Sequence, residues 1–404
     1  MRNNMMKGKQ SSVLLLFATL FCAACSNHVQ SNIDAPEDQA YFTHGSIKNI
    51  SSDENYYYTA VNGLIEAASK DSLEFHVICN KPDCFHKDSS CTAFTDSGGV
   101  WAYDGQIFAL RKSWNGAENT LDYDLVRTSP ENGISTKIAS ILRYKNKAGA
   151  MYPPDEFMIH KGYAYYVVTS GADSGEVMSM VYRLKLEENS NPEEIYKVTG
   201  QWGASNKLIG KGEKIYILSL CASDQYSGSV SASLQEYSVS DGTLNQIKYV
   251  KGMNANYFYI HDGSFIYQTA SEHDIHCMSL ETGEDQLLIS SQCDLSGGLC
   301  ANNTYIFDWR YTKIGDSEEL VGVGEPYAVW VYTYEGENVA KIELPVQNEV
   351  FAGSPLGADD RYLFFYQKEF ADDRETGNIL TVDHIWTYDM ANMEDGQWED
   401  HIID

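Results

Sequence analysis

Three thiols and one imidazole fall within thirteen residues of this chain, in the run Cys79-Asn-Lys-Pro-Asp-Cys84-Phe-His86-Lys-Asp-Ser-Ser-Cys91. Thiolate and imidazole are the preferred ligands of zinc, and three sulfurs with one nitrogen make a tetrahedral Cys3His set of the structural kind. Pro82 favours the turn that folds such a loop back on itself. A second reading keeps one disulfide, leaves the third cysteine free and makes His86 an ordinary loop residue, as an oxidising compartment would favour. In both readings the chemistry staples a loop. Of the other cysteines, Cys221, Cys277, Cys293 and Cys300 form an even set that could pair.

Other chemistry is thinly represented. The chain has no Gly-x-Ser-x-Gly elbow, no His-Glu-x-x-His, no phosphate loop and no Gly-x-Gly-x-x-Gly opening a helix. His273-Asp-Ile-His276-Cys277 offers ligand atoms, yet neighbouring residues of a strand face opposite sides, so His276 and Cys277 are poorly placed to chelate together. The acid pairs Asp122/Asp124 and Asp372/Asp373 read as solvated surface in so acidic a chain.

These residues need elements to hold them, and the chain supplies a repeat. A turn followed by an aromatic, β-branched strand recurs: Asp53-Glu54, Asp104-Gly105, Lys161-Gly162, Lys211-Gly212, Asp262-Gly263, Asn302-Asn303 and Asp359-Asp360 each precede one. Most units then carry a second, alternating strand, as in residues 122–127, 181–186, 234–239, 275–280, 329–334 and 385–390. The period of roughly 40 to 57 residues is that of a four-stranded propeller blade. Helical periodicity is missing from this region. The expectation is an all-β propeller from about residue 47 to residue 404, with seven blades favoured over six or eight; the first unit is the least regular, so six blades plus a hairpin is the main alternative.

If the strong strand is second in each blade and the alternating strand third, the segments joining them emerge at one end. Four are long: about Thr169 to Met180, Cys221 to Ala232, Arg310 to Tyr327 and Gln367 to Asp383. Trp114, Tyr226, Trp309, Arg310, Tyr311 and Phe370 lie on or beside these exits and could offer stacking surfaces and a cation to a glycan or peptide. The plain alternative is that such aromatics pack between blades.

The turn, aromatic strand and alternating strand resemble propellers of the low-density-lipoprotein-receptor type and of TolB-type periplasmic proteins. That resemblance implies a fold and transfers no active site. The cysteine loop itself resembles a Cys-x-x-Pro-x-Cys-x-His segment of uncharacterised Gram-positive lipoproteins with propeller domains.

The first residues agree with such a class. Arg2, Lys7 and Lys9 precede the short apolar run Val13 to Phe21, followed by Ala23-Ala24-Cys25. This is a signal peptide over residues 1–24, and Cys25 resembles the lipidated cysteine of bacterial lipoproteins. Residues 25–46 are poor in apolar side chains and read as a flexible tether. The expected location is the outer face of a membrane, held by a lipid alone. With 57 acidic against 29 basic residues and a formal charge of −28, the chain would repel nucleic acid. The sequence therefore predicts a non-catalytic binding protein for a glycan, peptide or protein partner, the alternative being a carbohydrate-active propeller enzyme with carboxylates as acid and base.

Overall fold

In the computed structural model, residues 50–403 are described, apart from 61–62, 88–89, 97–98, 146–153, 155, 172–175, 202, 223–229, 252–254, 270–271, 291–295, 313–324, 345–351, 374–377 and 394–395. The leader, Cys25 and the tether lie outside the described residues. Among the described residues no helix is long and apolar enough to cross a membrane. The one helical element there is a 3-10 turn at Met390–Asn392.

Seven antiparallel sheets of four strands follow one another along the chain, each in the order of its sequence. Blade one comprises β1 (Ile50–Ser52), β2 (Tyr56–Thr59), β3 (Glu66–Ser69) and β4 (Phe75–Val77). Blade two comprises β5 (Val100–Tyr103), β6 (Gln106–Asn115), β7 (Thr120–Thr128) and β8 (Ser135–Lys145). Blade three has β9 (Glu156–His160), β10 (Tyr163–Gly171), β11 (Val177–Lys185) and β12 (Glu193–Gly200). Blade four has β13 (Gly203–Lys211), β14 (Lys214–Ala222), β15 (Val230–Ser238) and β16 (Leu244–Lys251). Blade five runs through β17 (Ala255–His261), β18 (Ser264–Thr269), β19 (Ile275–Ser279) and β20 (Asp285–Ile289). Blade six runs through β21 (Ser296–Ala301), β22 (Tyr305–Thr312), β23 (Glu325–Thr333) and β24 (Asn338–Glu343). Blade seven is β25 (Ala352–Ala358), β26 (Tyr362–Asp373), β27 (Asn378–Asp389) and β28 (Trp398–Ile403). The first unit is thus a full, if short-stranded, blade, and the count is seven.

Strand chemistry explains the radial packing. The second strand of a blade is covered on both faces by neighbouring blades, so its side chains are buried in succession rather than alternately. Ala164, Tyr165, Tyr166 and Val167 of β10 are all buried, whereas most of β12 at the outer edge is at least partly exposed. Blades approach closely enough for single atoms to matter. A Cβ at Gly210 would lie 2.7 Å from the His160 ring, whose Nε2 donates to the Gly212 carbonyl at 2.7 Å.

Among the described residues no strand is exchanged between the last blade and the first. Side chains close the ring instead: Ile50, Tyr57, Ala68 and Phe75 of blade one pack with Leu356, Phe364 and Ile385 of blade seven. Tyr57 meets the Phe364 ring edge-on at 4.8 Å, and its hydroxyl donates to Asp359.

Candidate metal centre

The connection between β4 and β5 carries the thiols. Its middle is largely exposed, Phe85 included, but its ends and Cys91 are held against the blades. Its ends are pinned by backbone hydrogen bonds, from Ile78 to the Ile65 carbonyl at 3.1 Å, from Ile65 to the Ala93 carbonyl at 2.7 Å and from Thr95 to the Gly63 carbonyl at 2.9 Å. Cys91 and Ala93 are buried in a cluster shared by Tyr58 and Ile65 of blade one and Val100, Ile107 and Ala109 of blade two, with Cys79 and Cys84 packed beside them. The segment also reaches along blade two to the turn after β7, where Asn80 donates to the Asn132 carbonyl. The loop is therefore a wedge between the two blades.

Inside that wedge one ligand atom from each of Cys79, Cys84, His86 and Cys91 lies within 4.8 Å of all the others. In a zinc tetrahedron with bonds of about 2.3 Å, sulfurs stand about 3.8 Å apart. The set needs to contract by at most about an ångström to fit. The turn that Pro82 begins is closed by the Cys84 amide on the Lys81 carbonyl at 3.2 Å. His86 takes a left-handed backbone, φ 54°, and its Nδ1 sits 3.3 Å from the Cys91 sulfur.

The electrostatics are those of crowded thiols. Burial opposes the Cys79 thiolate, but hydrogen bonds from the Lys81 amide, the Thr92 hydroxyl and the thiols of Cys91 and Cys84 outweigh it and bring this thiol down to about 6. Burial pushes Cys91 up to about 12, and the neighbouring Cys79 and Cys84 add to the rise. One proton leaves easily and the next is held. A divalent cation removes that conflict, since it binds the thiolate form directly. The ligand set thus fits a zinc ion.

The six expected ligand-contacting residues are scattered. Trp114 stands at the end of β6 and is 57% exposed. Trp309 is fully buried and stacks on Phe365 at 5.4 Å, so its ring belongs to the packing of blade six on blade seven. Arg310 is buried too, with its Nε 2.8 Å from Asp308 Oδ2, its guanidinium 4.5 Å from the Trp330 ring centre and a hydrogen bond to the Tyr332 hydroxyl. Tyr311 and Phe370 lie in β22 and β26, which the backbone extends through them. Tyr226 lies outside the described residues.

Two expectations from the sequence are corrected. Asp122 and Asp124 are buried rather than solvated: Arg143 grips Asp122 through two nitrogens at 3.0 and 2.9 Å, while Asp124 receives Lys137 at 2.7 Å, Ser113 at 2.7 Å and Ser140 at 2.8 Å. Where the long exits are described they are also almost all strand; most of Cys221 to Ala232 and of Arg310 to Tyr327 lies outside the described residues. In blade seven, pairing continues from Tyr362↔Asp389 to Asp373↔Asn378, well past the residues that β25 and β28 cover, so β26 and β27 leave the sheet as a two-stranded ribbon. Of the remaining cysteines, Cys221, Cys277 and Cys300 are free and sit on strands of blades four, five and six; Cys293 lies outside the described residues. His276 stacks on Tyr267 at 5.2 Å.

Fold and site together describe a seven-bladed β-propeller with a cysteine-rich wedge between its first two blades. No protein-family model and no curated protein matches the chain. Solved structures do resemble it. Hsv2p of Kluyveromyces lactis aligns with a TM-score of 0.41 and 8% identity over 91% of this chain and 97% of that one. The Pyrococcus horikoshii acylaminoacyl peptidase gives 0.45 and 14%, over 91% of this chain and 54% of its own. A protein described as TolB from Agrobacterium tumefaciens gives 0.31 and 12%, over 58% of this chain and 80% of that chain.

Proposed function

We propose that this chain is a lipid-anchored, extracytoplasmic propeller that binds a glycan, peptide or protein without transforming it, and that Cys79, Cys84, His86 and Cys91 hold a structural zinc. The observation that supports a binding role most directly is the β26–β27 ribbon, which carries paired backbone beyond its blade at the end where every second-to-third-strand hairpin emerges. Such a ribbon presents side chains to a partner from a rigid base. The metal reading is supported by the four-ligand set: with all four positions filled by protein, zinc has no open site for a substrate, which is the mark of a structural centre. The buried acids favour a non-catalytic reading, because Asp122, Asp124 and Asp308 are each paired with a cation.

The test begins with a Cys25→Ala variant, which should appear in the soluble fraction while the parent stays with membranes. That soluble form is then incubated with isolated surface polysaccharide and with surface protein. Retention by one of them, lost when residues 370–381 are removed, is the expected result. Release of reducing sugar would establish the carbohydrate-active alternative instead, and membrane association of the alanine variant would overturn the lipid anchor.

A further inference from the structure

We propose that Arg111 is the counter-ion of the metal centre, so that the wedge holds a divalent cation on three thiolates and the resulting single negative charge is neutralised from blade two. The inference rests on the metal reading above and adds to it a residue outside the ligand motif, on a different blade from the first ligand.

The starting point is a charge without a carboxylate. Arg111 lies on β6 and turns its guanidinium towards the loop, where one terminal nitrogen donates to the Thr92 carbonyl, next in sequence to Cys91, and reaches the Ser135 hydroxyl at 3.4 Å. Ser135 donates to the same carbonyl at 3.1 Å. The Arg111 Nε is buried and has no hydrogen-bond partner among the described residues. No ion pair joins Arg111 to an acidic side chain there either. The buried Arg310 differs, since it has Asp308 as its ion-pair partner. An ionised guanidinium taken out of water needs an anion to offset the desolvation.

The cysteine cluster is the neighbouring group that can become one. Burial is the largest influence on Arg111 and opposes its charge, while the groups that favour the charge are Cys91 first and the Asp96 carboxylate second; the guanidinium hydrogen-bonds to the Thr92 carbonyl beside Cys91 and, among the described residues, makes no ion pair with Asp96. A disulfide with a spare thiol is neutral and leaves the guanidinium with no anion on the side of the loop it contacts. Three thiolates and a neutral imidazole around a divalent ion sum to minus one, which one arginine cancels. The same arrangement orients the ligands, since Arg111 and Ser135 together hold the Thr92 carbonyl while the Thr92 hydroxyl donates to the Cys79 sulfur at 3.6 Å and the Ala93 amide donates to the Cys91 sulfur at 3.4 Å. Arg111 acts here as a positioning residue with a charge role.

The experiment uses the soluble Cys25→Ala protein, titrated with zinc against a chromophoric chelator, alongside Arg111→Met and Arg111→Lys in the same background; cobalt replaces zinc to read the ligand field. The parent should bind one equivalent with a tetrahedral, thiolate-rich cobalt spectrum. Arg111→Met should weaken zinc by about 10- to 100-fold, the range seen when a residue supporting metal ligands is lost, while its cobalt spectrum stays tetrahedral. Arg111→Lys, which keeps the charge and loses the fork, should recover most of that affinity and also serves if the methionine variant does not fold. Equal zinc affinity in the parent and the folded methionine variant, or a lysine variant as weak as methionine, would overturn the counter-ion role with the metal site intact. A parent that binds no metal and yields two thiols only after reduction would overturn the metal reading itself.

Discussion

Charged side chains in this molecule are placed by packing more than by the solvent that an acidic composition suggests. Asp308 and Arg310 show it: both are buried, and Gln268 from the adjoining blade supplies a further hydrogen bond to Asp308 at 3.2 Å. Burial raises the Asp308 carboxyl, opposed first by Arg310. Cutting one partner leaves the other charged and unsolvated, so Asp308→Ala should destabilise the fold by about 3–5 kcal/mol, measured by urea unfolding. A loss below 1 kcal/mol would show that water reaches Arg310. At this scale the sequence was legible only in part. The ligand motif could be read because its four donors are close in the chain. Arg111 could not, because it is remote from that motif and nothing about its immediate neighbours marks it. Asp122 was misplaced because a strand's sequence does not reveal which face meets the next blade, and for Trp309 its burial agrees with the alternative of packing between blades.

At the scale of strands and turns the reading was better. Each of the seven turns recognised in the sequence joins the first and second strands of a blade, as at Tyr103↔Gln106 and His261↔Ser264, because a tight turn needs residues that tolerate its backbone whatever surrounds it. Asp104, Lys161 and Asp262 take positive φ and are each followed by a glycine that does so too. The ribbons were not legible, since Gln367 to Asp383 mixes charges with apolar residues and shows no alternation that a half-buried strand would impose. Because β25 and β28 do not cover the outer part of the β26–β27 ribbon, removing residues 370–381 should leave the unfolding temperature within about 3 °C of the parent, the shift expected when less than about 1 kcal/mol is lost from a domain of this size. A fall of 10 °C in a calorimetric scan would mean that the ribbon packs on its neighbours.

Across the whole ring the junctions are unequal. Blade one, the shortest-stranded, is wedged to blade two by the cysteine loop and, among the described residues, meets blade seven through side chains alone. At that second junction His401 of β28 packs on Phe75 of β4 at 6.3 Å and pairs with the Thr387 hydroxyl at 2.9 Å. Burial lowers its affinity for a proton from the ordinary 6.5, against the pull of Glu399, Asp400 and Glu74. The unfolded chain therefore takes up a proton as pH falls through 6.5 while the folded one still resists. Stability from this histidine is complete above that pH and declines below it. Thermal unfolding between pH 5 and 8, scales set by about one unit either side of the histidine range, should show a downward slope on acidification that is shallower in His401→Gln. An identical slope in the variant would place the acid sensitivity elsewhere.

Among the described residues the seven blades of consecutive strands close without strand exchange, which makes the blade at which the ring is opened a matter of convenience. The step from β12 to β13 is made between Gly200 and Gly203, so a bridge of similarly few residues should join Ile403 to Ile50, and new ends opened between other blades should give a circular permutant with the same ring. One opening is different. A cut between Cys79 and Cys91 would divide the donors between the two ends of the chain, turning a local clamp into a contact that forms only after the entire circle has assembled, and that permutant alone should fold in a metal-dependent manner.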